Sequence, residues 1–296
     1  MVASASESRA SLSLYEPAMD FLDDNSKFED RAILIASKFI LGISNLQRRT
    51  LSSLKREVKI LLSVSHRPCH LEACTMSETP TKSEVAAVAK RIVKILVGKG
   101  LSCYLVGGVA SMLWGTSRTP NDVDIVIPTT DYNAEEIKRL VARADPRFHL
   151  IPSKNPRNTY KVTWFEKARS TDASLLRCKV DFLVPPTLNV PSLAEAHIVR
   201  KAGLPVSPLL PLLLLKRQAW EDHRWARYTD LRAKQHTDVA DITELLEIAV
   251  REGVRVADAP WLSSLFLSAA RRRVQSYVVQ YYASRRAWRE LGFTVV

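Results

Sequence analysis

A chain of 296 residues, 46% of them hydrophobic, can build one large or two modest domains, and a formal net charge of +12 with a pI near 9.7 asks for an anionic partner. The cysteines at positions 69, 74, 103 and 178 have no framework spacing, the N-terminus is polar and acidic, and the longest apolar run, Leu212 to Leu215, is far too short to span a bilayer. From these features we expect no disulfide scaffold, no secretory signal and no transmembrane helix, and with them reduced thiols, a cytoplasmic location and no membrane partner.

Residues 1–30 are rich in Ser and Asp and net acidic, a composition that cannot bury enough surface to order itself, so disorder is expected there. From Arg31 to Ser65 apolar residues recur among basic ones, as in amphipathic helices with a solvated outer face. His66, Cys69, His70 and Cys74 form a cluster of zinc-ligating types, but the spacing is not that of a known finger. Met76 precedes a second natural beginning. Thr81 or Ser83 can cap a helix whose apolar positions are 85, 88, 89, 92, 93 and 96, ended by Gly98 and Gly100. We therefore expect 1–80 to be a disordered or accessory segment.

Tyr104 to Ile127 then reads as strand, glycine turn, helix and strand. Only Val123 separates Asp122 from Asp124, so on an extended chain both carboxylates share one face while Val123, Ile125 and Ile127 point into a core. Same-face residues lie roughly 6.5–7 Å apart along a strand, near enough for two carboxylates to converge on divalent cations. Gly107 and Gly108 lack the Cβ that would hold a triphosphate off the backbone, and the helix after them offers unpaired N–H groups and a positive dipole end. An apolar residue, Gly-Gly, thirteen further residues and Asp-apolar-Asp-apolar resemble the signature of the DNA polymerase beta-like nucleotidyltransferase superfamily. Gly-Gly-x-Ala with Gly115, Arg118 and Thr119 ahead of the aspartates is most similar to the minimal nucleotidyltransferases, including abortive-infection-type toxins, and to the tRNA nucleotidyltransferase head.

Past Pro128, a helix is expected over 131–144, then strands at 148–151, 160–164 and 179–184. In the last, Val180, Phe182 and Val184 alternate with Lys179 and Asp181, so Asp181 faces the side of Asp122 and Asp124 if the strands are neighbours. The resemblance implies a third carboxylate on such a strand, and Asp181 matches it. After Pro185 and Pro186 the pattern reads as helical. One helix runs from 212 to 227 behind Pro208 and Pro211, with Lys216, Trp220 and Arg224 on one face, and a second runs over 234–250 with Thr237 as cap and Asp238 and Asp241 beyond it. A third, long and basic, covers 261–291 with arginines between tyrosines, whose ring faces we expect on the bundle and whose arginines we expect in water.

The expected fold is α/β (α+β), with a minimal nucleotidyltransferase core and mixed sheet at 82–187 and a helical domain at 188–296. The resemblance implies transfer of an NMP from an NTP, ATP or CTP, to an acceptor hydroxyl with release of pyrophosphate. Mg²⁺ or Mn²⁺ would be held by Asp122, Asp124 and Asp181, phosphates by Gly107, Gly108 and Ser111, and Arg118 and Lys216 would offset their charge. The acceptor stays open among a small-molecule hydroxyl, a protein side chain and an RNA 3′ end. The alternative is a catalytically silent protein that keeps the fold and binds nucleotide or RNA, a role for which three clustered carboxylates bring no gain.

Overall fold

The computed structural model describes residues 79–153, 158–169 and 174–295. The expectations for residues 1–78, including the histidine-cysteine cluster, lie outside the described residues. The first described helix, α1 (Lys82–Val97), begins at a complete capping box. The Thr81 hydroxyl accepts from Glu84 N–H at 3.3 Å and Glu84 Oε2 accepts from Thr81 N–H at 2.8 Å, which satisfies two of the helix's orphan donors. Its apolar positions, Val85, Val88, Ala89, Ile92, Val93 and Leu96, are all buried.

The chain then enters β1 (Tyr104–Val106), turns directly into α2 (Gly107–Trp114), and returns as β2 (Asp122–Val126), antiparallel to β1. Next come α3 (Ala134–Ala144), β3 (Phe148–Pro152), β4 (Lys161–Ala168) and β5 (Leu175–Leu183). β5 lies parallel to β2, and β4 and β3 extend that wing in antiparallel pairing. The alternation in β5 is kept along its length, each even-numbered residue from Leu176 to Phe182 being buried and each odd-numbered one half-buried. Cys103 and Cys178 are free thiols and buried, and burial pushes both up to about 12.

The sheet does not stop at residue 187. β6 (Val199–Lys201) and β7 (Leu204–Val206) form a hairpin, and β7 pairs in parallel with β1 at Leu105 and Val206, giving seven strands in the order β3-β4-β5-β2-β1-β7-β6. These strands fall where we expected helix. The turn is Ala202-Gly203, with φ of 48° and 78°, the two left-handed residues that a tight hairpin needs. Alanine in the first place disguises it.

Four helices complete the fold: α4 (Leu209–Arg224), α5 (Thr229–Arg251), α6 (Ser264–Gln280) and α7 (Arg285–Glu290). α4 packs along α5 and also touches α2 and α6. α5 begins before the expected cap, and Thr237 lies inside it. The expected single helix over 261–291 is broken at 282–284 because folding back lets Trp288, fully buried, meet Tyr277 edge-on at 6.3 Å and Phe293 at 5.4 Å. Tyr277 is buried against Trp220, whereas Tyr282 stays out at 64% exposure. No helix among the described residues is long and apolar enough to cross a membrane.

Candidate active site

Two strand registers bring the aspartates together. Asp124 stands opposite Val106 in the antiparallel pair and opposite Asp181 in the parallel one, so it sits beside the β1–α2 turn and beside the third carboxylate at once. One oxygen each from Asp122, Asp124 and Asp181 lies within 4.8 Å of the others, and all three residues are half-buried. Burial and the charges of Asp122 and Asp181 push the Asp124 carboxyl up to about 8, although Lys216 and Lys179 pull against that rise. An anionic cluster of this kind gains most from a divalent cation.

The glycine turn is shaped by this cluster. Gly107 has φ +60°, and a Cβ built on it would lie 1.8 Å from Asp124 Oδ2 and 2.7 Å from its Cγ. A Cβ on Gly108 would lie 2.8 Å from Pro120 Cβ and 2.9 Å from Arg118 Nη2. The two glycines thus make room for the protein's own carboxylate and guanidinium. α2 starts at Gly107 with no side-chain cap from Val106, so no capping side chain answers its first amides. Ser111 is not brought to this surface. It is fully buried, and its hydroxyl donates to Gly107 carbonyl oxygen at 2.9 Å, one turn back in its own helix.

Arg118 and Lys216 meet at α5. Arg118 donates through Nε and Nη2 to the two carboxylate oxygens of Asp241 at 2.9 and 2.8 Å, a bidentate pair that fixes the guanidinium over Gly108. Lys216 Nζ lies 2.7 Å from Asp241 Oδ2 and 3.9 Å from Asp238 Oδ1. Burial alone would lower the Lys216 pKa, but the carboxylates of Asp241 and Asp238 outweigh it and hold the ammonium above its ordinary value. His223 Nδ1 closes the network at 2.5 Å from Asp238 Oδ2. Ser117, one residue before Arg118, is tied to the same helix through Glu244, which accepts from its N–H and its hydroxyl at 2.6 Å each.

By sequence, no family model and no curated protein matches the chain. By structure, it is similar to an antigenic nucleotidyltransferase-like protein from Paracoccidioides brasiliensis, with a TM-score of 0.50 at 15% identity over 72% of this chain and 93% of that one. The chain has the nucleotidyltransferase fold. A further likeness, to the antibiotic-resistance factor ANT(2'')-Ia, has a TM-score of 0.37 at 12% identity and covers 70% of this chain and 99% of that one.

Within the nucleotidyltransferase fold one cation at the acidic cluster escaped the sequence reading. Lys179 donates to Asp181 Oδ2 at 2.9 Å, and its Cα is registered opposite Asp122. The signal was the period-2 alternation itself, which puts residue 179 on the same face as residue 181. The pairing of Arg118 with Asp241 had no such signal, because 123 residues of chain separate the two partners.

Proposed function

We propose that the protein is a nucleotidyltransferase that moves an NMP from an NTP to an acceptor hydroxyl, using Mg²⁺ or Mn²⁺. The observation that carries this reading is the convergence of Asp122, Asp124 and Asp181, one carboxylate oxygen of each lying within 4.8 Å of the others. The donor set is all carboxylate oxygen, which fits hard divalent cations and not thiophilic ones. Bound by these three residues, the metal would supply Lewis-acid stabilisation for charge on the attacking and leaving oxygens.

The remaining tasks fall to the protein's own groups. The first-turn amides of α2, with Gly107 and Gly108 at its start, would receive the triphosphate at the positive end of the helix dipole. Ser111 would act one step back, by holding the Gly107 carbonyl and with it the turn. Arg118, oriented by Asp241, and Lys216, buried and kept charged, would offset the phosphate charge. In the step itself a bond forms between the acceptor oxygen and the α-phosphorus while the bond from that phosphorus to the bridging oxygen breaks. Pyrophosphate leaves with the electron pair, and the hydroxyl proton passes to solvent. ATP or CTP is the NTP we expect, and the acceptor is a small-molecule hydroxyl, a protein side chain or an RNA 3′ end.

The test is pyrophosphate release with each NTP, Mg²⁺ and a cell extract supplying acceptors, run for wild type and Asp124→Asn. Release by wild type that stops with the chelator EDTA and with the variant supports the reading. Metal-dependent NTP binding with no release in any extract would instead mark a binding protein that keeps the fold.

A further inference from the structure

The sheet face that presents the three aspartates also presents Lys179, and no step of the proposed reaction uses it. β2 and β5 run parallel in register, Asp122 opposite Lys179 and Asp124 opposite Asp181, so the face carries a two-by-two array of three acids and one base. The Lys179 ammonium is 2.9 Å from Asp181 Oδ2, and its side chain is only 19% exposed. A solvated surface lysine gives up such a contact at little cost, but here the pair is partly withdrawn from water and the effective dielectric is lower. Among the described residues no cation is hydrogen-bonded to Asp124, and Lys216 and Lys179 act on its carboxyl only through space. Lys179 is therefore hydrogen-bonded to one residue of the acidic cluster and acts on the other two only through space.

We propose that Lys179 is a tethered counter-ion that occupies the cation site in part and sets how tightly it takes a free metal. This rests on the reading of Asp122, Asp124 and Asp181 as a cation site. A divalent ion that arrives alone must approach an ammonium already bonded to one of its three ligands, so repulsion and the lost hydrogen bond both weaken its binding. An ion that arrives on a triphosphate brings compensating negative charge, and the ammonium then stands beside an anion. Lys179 in this way favours the metal–nucleotide complex over bare metal, a preference in what the site loads and not an added catalytic group. Its spacing from Asp181 serves the purpose: residues two apart on a strand share a face, and the lysine stem is long enough to bring Nζ back to the carboxylate.

The experiment is Mn²⁺ binding, followed by calorimetry and by the electron paramagnetic resonance of free Mn²⁺, on the full chain without nucleotide. Wild type, Lys179→Gln, Lys179→Arg and Asp124→Asn are compared at one pH and ionic strength. Lys179→Gln should bind Mn²⁺ at least tenfold more tightly than wild type, Lys179→Arg should stay near wild type because the charge is kept, and Asp124→Asn should bind weakly or not at all. Should the glutamine variant misfold, Lys179→Met keeps the aliphatic stem and carries the same expectation. Mn²⁺ affinity that is equal in wild type and the uncharged variants, or weaker in the latter, overturns the counter-ion while leaving the cation site standing. No Mn²⁺ binding by any of the proteins overturns both.

Discussion

Replacing Gly107 with alanine tests the geometry at its tightest point. The residue has φ +60°, which costs an alanine about 1–2 kcal/mol relative to glycine. The new Cβ would also stand 1.8 Å from Asp124 Oδ2 where ordinary contact is about 3.4 Å, so the oxygen must retreat by roughly 1.6 Å. Rotation of the carboxylate alone does not relieve this, because Asp124 Cγ and Cβ lie 2.7 and 3.0 Å from the same point. Adding an overpacking cost of about 1–3 kcal/mol gives about 2–5 kcal/mol in all, a fall in Tm of about 4–20 °C for a domain of this size. Displacing one of three ligands should weaken Mn²⁺ binding at least tenfold. Gly115→Ala is the control, since φ is +111° there but nothing lies within 4 Å of the added Cβ; it should carry backbone strain alone and bind Mn²⁺ normally. Thermal melts and Mn²⁺ titrations on both variants decide the matter. If Gly107→Ala binds Mn²⁺ like wild type and melts no lower than Gly115→Ala, Asp124 does not depend on this glycine and the reasoning fails.

Asp124→Asn should lose metal binding yet reduce the pH dependence of stability in the absence of metal. With its pKa pushed up to about 8, Asp124 holds a proton in the native state that the unfolded chain has released above pH ~4, so native stability falls as pH rises between the two values. Urea midpoints in EDTA at pH 6 and pH 8.5 should therefore differ more in wild type than in the variant, and equal differences would show that the group titrates normally. Lys216→Ala should cost about 1–3 kcal/mol, because Asp241 keeps Arg118 and Asp238 keeps His223 while each loses the buried ammonium. It should also raise the apparent NTP constant more than it slows saturated turnover, and an unchanged affinity by calorimetry would remove Lys216 from the site. Asp145→Asn should cost about 1–3 kcal/mol at pH 7, since this buried carboxylate accepts from Arg91 Nε at 2.5 Å and from Arg147 Nη2 at 2.9 Å. The Arg147 and Arg91 guanidiniums hold the Asp145 carboxyl below the usual carboxylate range, so its stabilisation is complete above the unfolded pKa near 4 and is lost as pH falls further. A variant whose midpoint gap to wild type is the same at pH 7 and pH 3 would contradict that pairing.

Much of the site lay in short-range pattern. The alternation of apolar and polar residues around Asp122, Asp124 and Asp181 fixed which face each occupies, and the same rule applied one step earlier points to Lys179. The β2–β5 register that sets Asp124 opposite Asp181 is a long-range pairing, and only the resemblance suggested it. Local patterning could not find the Arg118–Asp241 pair, nor the Glu244 anchor of Ser117, since each joins residues more than a hundred positions apart. The β6–β7 hairpin was hidden for another reason. Its strands have three residues each, too few to display a period, and its turn begins with alanine in a left-handed conformation. The break after α6 is a tertiary effect, because helix propensity through Tyr281 to Arg286 is adequate and the burial of Trp288 decides the turn. Ser111 shows the limit of motif reading: a hydroxyl one turn after Gly-Gly suits a phosphate on paper, and the folded helix uses it on its own backbone.

The proposed chemistry is tested most directly by the fate of the phosphorus atoms. Wild type and Asp124→Asn are incubated with Mg²⁺ and with ATP or CTP labelled at either the α or the γ position, in separate reactions supplied with total cell RNA, protein and metabolites. Attack at the α-phosphorus predicts that wild type moves the α label into an acceptor and the γ label into pyrophosphate, and that Asp124→Asn moves neither. Transfer of the γ label to an acceptor, or α-label transfer undiminished in Asp124→Asn, would contradict the account.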